Sequence, residues 1–171
     1  YLTEVTMDGS GAYGLCANDC QRITLDNCKI QNCSYGAVSL WDSQDINLRT
    51  CRITDCQGCF QIFEVCGTKS VRVWECVFQD NSASAIVDSH YGAQSVVFNH
   101  CSFQDNRFNS SFDYGWQSSG GASLVIVSAL TNFYTSLSYL VTQSVLVRDY
   151  LGTEDKVKIS QFPLTTVLER E

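Results

Sequence analysis

Between Ile23 and Asn106 one pattern of apolar and polar positions is written four times. The copies are ITLDNCKIQNC (23–33), INLRTCRITDC (46–56), VRVWECVFQDN (71–81) and VVFNHCSFQDN (96–106), and they begin 23, 25 and 25 residues apart. Places 1 and 3 are apolar in every copy: Ile23 and Leu25, Ile46 and Leu48, Val71 and Val73, Val96 and Phe98. Alternation by two predicts a strand. Places 6 and 8 stay apolar after a one-residue change of phase: Cys28 and Ile30, Cys51 and Ile53, Cys76 and Phe78, Cys101 and Phe103. A bend between two short strands produces such a change.

A third alternating run fills the second half of each unit. Val38 and Leu40, then Phe60 and Ile62, stand two apart, and Ala85-Ile86-Val87 is a looser version. Polar turns (Ser43-Gln44-Asp45, Thr68-Lys69-Ser70, Ala93-Gln94-Ser95) lead into the next copy. Residues 1–22 read as the end of an earlier turn of the same repeat. Each unit is then two or three short strands with no room for a helix. Fixed self-similarity at this period marks a repeat architecture, and coiling such units stacks like strands about 4.8 Å apart. Leucine-rich repeats share the period, and Ile23-x-Leu25-x-x-Cys28-x-Ile30 fits their core. Their return segment is usually helical or 3₁₀, however, with leucines three and four apart, whereas here it alternates by two.

The pattern [IV]-x-[ILVF]-x-x-C-x-[IF]-x-[ND]-[CN], followed by small and apolar residues and a Ser/Asp turn, resembles the right-handed parallel β-helix repeat of the pectate-lyase-like superfamily. The resemblance covers about residues 12–106. It implies an all-β chain, a right-handed solenoid of about four to five coils with a non-repeat C-terminal segment. The domains expected are 1–115 for the repeats and 116–171 for a cap or extension. For activity the resemblance is unspecific: the superfamily holds polysaccharide lyases, glycoside hydrolases, adhesins and non-catalytic members, and a shared fold does not transfer function.

Composition narrows the field. A chain of 171 residues with 17% charged residues is globular, with room for one domain and a small appendage. Its net charge of −7 argues against a nucleic-acid partner and suits a cation. No basic, apolar leader opens the sequence, so any signal peptide is expected to be already removed or to lie outside these residues. Ten cysteines would suggest a disulfide scaffold, but Cys28, Cys51, Cys76 and Cys101 share one place. Side chains stacked in parallel have poor disulfide geometry, so these four are expected as free, buried fillers. No C-x-x-C pair meets a partner pair at zinc spacing. The other six cysteines stay open, although Cys33 and Cys56 would stack in the same way.

After the repeats, residues 107–121 read as a loop carrying Phe108, Phe112, Tyr114 and Trp116. Leu124–Val147 is long enough to span a bilayer, but its Asn132, Gln143 and many hydroxyl residues make buried structure the better account. Helical spacing and strand composition compete there. The tail is expected to cover the open end of the last coil, with Val157-Lys158-Ile159 adding a strand before Pro163.

Candidate chemistry lies in two acidic ladders. Asn32, Asp55, Asp80 and Asp105 occupy place 10 beside the bend, where Asn replaces Asp freely, and a corner role is expected. Asp19, Asp42, Glu64 and Asp88 close the second half-units, flanked by Trp41, Phe63, His90 and Tyr91. Stacked carboxylates must be hydrated, protonated or bridged by a cation, and oxygen ligands alone suit Ca²⁺. Carboxylate pairs also serve glycoside hydrolysis. Asp42, Glu64, Asp88 and His90 are therefore the catalytic candidates, and Trp41, Phe63 and Tyr91 the substrate-binding ones. Lyase chemistry needs a cation facing the base. Lys29 over Arg52, Arg49 and Arg72 do not face this row, which argues against a typical pectate lyase. The expected partner is a polysaccharide or oligosaccharide, for a secreted or cell-surface protein. A non-catalytic module of a larger surface protein, or an intracellular scaffold, is the competing expectation. A second copy or a flanking domain would close an open coil end.

Overall fold

The computed structural model describes residues 1–108, 114–118, 122, 124–134, 145–149 and 168–170. Every paired strand among them runs parallel to its neighbours, and no helix occurs. Three rows of strands climb the solenoid. The first holds Gln21–Asp26, Gln44–Arg49, Lys69–Trp74 and the start of Gln94–Phe108. The second holds Lys29–Gln31, Arg52–Thr54, Val77–Gln79 and the rest of Gln94–Phe108. The third is the return row: Tyr13–Asn18, Gly36–Trp41, Gln61–Cys66, Ala85–His90 and Tyr114–Ser118. A return strand in place of a helix excludes the leucine-rich alternative.

The alternating apolar positions are the core. Leu25, Leu48, Val73, Phe98 and Ile126 stack in register, as do Ile30, Ile53, Phe78 and Phe103, and all are fully buried. On the return row Val38, Phe63, Val87 and Trp116 form the inward column. In the third coil the inward residues are thus Phe63 and Val65. Phe60 precedes the strand and is 61% exposed. The interior turns aromatic along the axis: Phe78 stacks on Phe103 at 4.9 Å, Phe63 meets Phe98 at 5.1 Å, and Phe103 meets Trp116 at 5.3 Å.

The phase change between places 3 and 6 is a left-handed corner at place 5. Asn27, Thr50, Glu75 and His100 there have φ of 50°, 50°, 53° and 53°. Place 10 is a second such corner, with φ of 54°, 56°, 55° and 53° at Asn32, Asp55, Asp80 and Asp105. Asn and Asp tolerate this region best, which accounts for that acidic ladder as a bend.

Cys28, Cys51, Cys76 and Cys101 are buried, and none of the ten cysteines forms a disulfide. The ladder thiols donate to backbone carbonyls, as from Cys51 Sγ to Arg49 O at 3.2 Å, while Cys76 Sγ accepts the Cys51 N–H at 3.3 Å. The thiol hydrogen bond with Cys101 and burial push Cys76 up to about 12. At place 11, Cys33 and Cys56 give way to Asn81 and Asn106. Asn81 Nδ2 donates to Ile53 O and to Asn106 Oδ1, both at 2.9 Å, and Asn81 Oδ1 accepts the Cys56 N–H at 3.0 Å.

Beyond the repeats the stack runs on. Tyr114–Ser118 pairs with Ala85–His90, so these residues are a strand and not the expected loop. Leu124–Tyr134 pairs with Gln94–Phe108 and Val145–Asp149 pairs in turn with Leu124–Tyr134, which decides for strand in both. Residues 157–159 and Pro163 lie outside the described residues. No helix among the described residues is long and apolar enough to cross a membrane, a statement that leaves strand-built spans aside.

Candidate functional site

The outward face of the return row carries the chemistry, in two columns set by strand register. Cys16, Ser39, Glu64 and Asp88 form one column; Asn18, Trp41, Cys66 and His90 form the next. Glu64 and Asp88 therefore stand one coil apart, as expected. Asp42 does not join them. It sits three residues past Ser39, at a left-handed corner with φ of 45°, in line with Asp19, Gly67 and Tyr91. The shared place at the close of the half-units suggests a single ladder, with Leu-Trp-Asp matching Ile-Phe-Glu, but the inward residues fix the register, pairing Val38 with Phe63 and Leu40 with Val65. The same register corrects Phe63: it is fully buried against Phe78 and Phe98 and offers no surface to a ligand.

Glu64 is the hub. Its Oε2 accepts from Ser39 Oγ at 2.7 Å, Trp41 Nε1 at 3.1 Å and Tyr13 OH at 3.4 Å. Its Oε1 lies 3.4 Å from His90 Nε2, and His90 Nδ1 lies 3.4 Å from Asp88 Oδ2. The imidazole thus stands between two carboxylates, an arrangement that favours its doubly protonated form.

Tyr13 reaches Glu64 from two coils away because Gly36 lies between them without a side chain. A Cβ at Gly36 would run into the Tyr13 ring, and its φ of 138° also favours glycine.

Electrostatics separate the two acids. Burial alone would raise the Glu64 carboxyl, but hydrogen bonds with His90, Ser39 and Trp41 outweigh it and hold the group below its usual range. Asp88 is raised by burial, which the neighbouring His90 charge offsets only in part. His90 is raised through its hydrogen bond with Glu64 and the charges of both carboxylates, against the opposing effect of burial. Burial and then the Glu64 charge push the Tyr13 hydroxyl up to about 12. Cys66 is pushed up to about 11, by burial and by Glu64, Asp42 and Asp88. A thiol in that state is no nucleophile near neutral pH.

Asp88 Oδ1 is buried without a hydrogen-bond partner, although the residue is only 8% exposed. Two of the expected ligand-contacting rings are at the surface: Trp41 is 39% and Tyr91 72% exposed, with centroids 6.2 and 4.9 Å from the His90 ring. Among the described residues no group of three or more His, Cys, Asp or Glu side chains is arranged to hold a metal ion. Glu64 Oε2 is taken by three donors, and Asp42 stands off the row, so these carboxylates are not gathered into one set of oxygen ligands.

Sequence reasoning missed Tyr13, Ser39 and Cys66. Ser39 becomes legible once the inward residues are matched coil to coil. Tyr13 leaves no local signal, because its reach depends on Gly36.

With this geometry in place, one comparison gives the class. Residues 1–130 match the family model for a right handed beta helix region, and the chain belongs to that family. No curated protein and no solved structure matches it.

Proposed function

We propose that this chain is a carbohydrate-handling β-helix domain that binds a polysaccharide across the Trp41–His90–Tyr91 face. The observation carrying this reading is the placement of two exposed aromatic rings beside an imidazole that lies 3.4 Å from each of two buried carboxylates. Aromatic rings offer a flat apolar surface for the C–H face of a sugar, and His90 with Asp42 at the rim offers polar partners. Binding is better supported than cleavage. Glu64 has its oxygens occupied and is only 5% exposed, a poor position for touching a glycosidic bond. If the domain cleaves, Asp88 is the acid, since burial raises its carboxyl; its Oδ1 is covered as Glu64 is, so cleavage requires that oxygen to be uncovered, and Glu64 acts through the His90 that it faces.

A second reading, a non-catalytic module inside the cell, is favoured by the absence of any disulfide among the ten cysteines, including the exposed Cys16 and Cys59. A secreted or cell-surface location is our reading only insofar as the glycan reading holds.

One experiment separates these. The chain is titrated with a panel of neutral and acidic polysaccharides while reducing ends and unsaturated products are recorded. Saturable binding that drops tenfold or more in Trp41→Ala supports the glycan reading. Products that vanish in Asp88→Asn support cleavage. Silence across the panel overturns both and leaves the intracellular module.

A further inference from the structure

A second face, on the first row of strands, carries a different chemistry. On Gln44–Arg49 and Lys69–Trp74 the apolar residues Ile46, Leu48, Val71 and Val73 point inward and are fully buried. The alternate positions point outward, and register sets Asn47 beside Arg72 and Arg49 beside Trp74. These four side chains line a cleft of about 200 Å³. That is below the roughly 300–1,000 Å³ of sites for drug-sized ligands, so it suits a single ring and not an oligomer.

Two features mark the cleft as more than a solvated patch. In a chain of net charge −7, neither Arg49 nor Arg72 forms an ion pair among the described residues. No ion pair is formed between Arg49 and the neighbouring acid. Asp26 stands beside it in register, yet its carboxylate accepts from Tyr1 OH at 3.2 Å and Thr50 Oγ1 at 3.3 Å. Two guanidinium groups on adjacent strands, each a planar fork of donors, match an oxyanion. The indole of Trp74, 43% exposed, is backed by His100, stacked at 5.9 Å and 29°. A held aromatic plane beside cations suits a flat ring that carries a negative charge.

We propose that this cleft binds one sugar unit bearing an anionic group. Arg49 and Arg72 take the carboxylate, sulfate or phosphate, Asn47 meets a ring hydroxyl, and the sugar face lies on Trp74. The site is on a different row from Trp41, His90 and Tyr91, so it stands or falls independently of the reading given for that face.

Calorimetric titration of the intact chain tests it, with glucuronate, glucose 6-sulfate, glucose 6-phosphate, glucose, inorganic sulfate and adenosine monophosphate as probes. At least one anionic sugar should bind ten times or more tighter than glucose and than inorganic sulfate. Arg49→Gln, Arg72→Gln and Trp74→Leu should each weaken that binding tenfold or more with unchanged thermal midpoints, and Trp41→Ala should not affect it. Equal affinity for glucose overturns the role of the arginines, and equal affinity for inorganic sulfate overturns the role of the ring. Tighter binding of the nucleotide than of any anionic sugar overturns the ligand class. Absence of binding at millimolar concentration, or binding insensitive to the three variants, overturns the site.

Discussion

The indole N–H of Trp41 donates to Glu64 Oε2 across one coil, at 3.1 Å. An exposed ring is thereby tied to a buried charge, and the two can be separated by substitution. Trp41→Phe keeps a ring and removes one donor, an expected loss of about 1 kcal/mol in urea unfolding. Glu64→Gln keeps the shape and removes the charge that His90 faces, an expected loss of about 2–3 kcal/mol. Equal stability of Glu64→Gln and the parent would show that the hub is not a source of stability.

The pH dependence of the same cluster has a definite sign. His90 is raised above its usual 6.5, so its contribution is complete below that value and lost as pH climbs through the raised one. Glu64 is held below its usual 4.5, so its contribution is present above that value and lost on further acidification. Asp88, raised above 3.8, works against folding as it ionises. The thermal midpoint should therefore be highest between about pH 4.5 and 6.5 and decline as pH rises above that window. In His90→Gln the alkaline decline should flatten; a parallel decline there would assign it to other groups.

Gly36 and Gly11 make a matched pair of alanine substitutions. At Gly36 a Cβ meets the Tyr13 ring and comes to 2.8 Å of Gln61 O, on a backbone with φ of 138°. Gly36→Ala should cost about 3 kcal/mol or more. Gly11 has nothing within 4 Å of an added Cβ, and Gly11→Ala should stay within about 0.5 kcal/mol of the parent. Chemical denaturation of both variants checks the contrast.

Asn81 joins three coils. Asn81→Ala removes the acceptor of the Cys56 N–H and one donor to the Ile53 carbonyl in a dry interior, with an expected loss of about 1–3 kcal/mol. Asn81→Cys, which restores the residue type found at this place in Cys33 and Cys56, should lose less than Asn81→Ala. The reverse order, in equilibrium unfolding, would remove the hydrogen-bonding explanation.

Thiol chemistry offers a further measurement. Under reducing purification ten thiols should react in denaturant, matching the ten cysteines that form no disulfide. In the native state the exposed Cys16 and Cys59 should react first. Cys51, raised through its hydrogen bond with Cys76, and Cys56, pushed up to about 12 by burial, should react only as the fold opens. Fast native labelling of Cys51 would contradict its burial.

The coil was readable from the chain because inward residues repeat: a strand buries every second side chain, and four copies repeat the same places. The bend was readable for the same reason, as a slip of phase later found to be a left-handed residue at Asn27, Thr50, Glu75 and His100. The outward face was harder. Nothing inside the solenoid constrains it, so Asp42 could be aligned with Glu64 by likeness of triplets, and only the pairing of Val38 with Phe63 places Ser39 there instead. Phe63 was misjudged from its neighbour Glu64, since adjacent residues on a strand face opposite ways. The cleft at Arg49, Arg72 and Trp74 escaped because its members sit at different places of different copies and meet only through the register.

The left-handed corners bear on how small this protein can be. Among the described residues sixteen non-glycine residues hold positive φ, a conformation that costs roughly 1–2 kcal/mol each for most side chains. The backbone N–H at such corners bonds a carbonyl of the next coil, as Asn27 does with Arg49 O and Thr50 with Trp74 O, at 3.0 and 2.9 Å. A bend is therefore held from outside its own coil. An isolated turn of the sequence would have no reason to stay closed, and a shortened chain should lose its shape abruptly, not in proportion to its length, once too few neighbours remain.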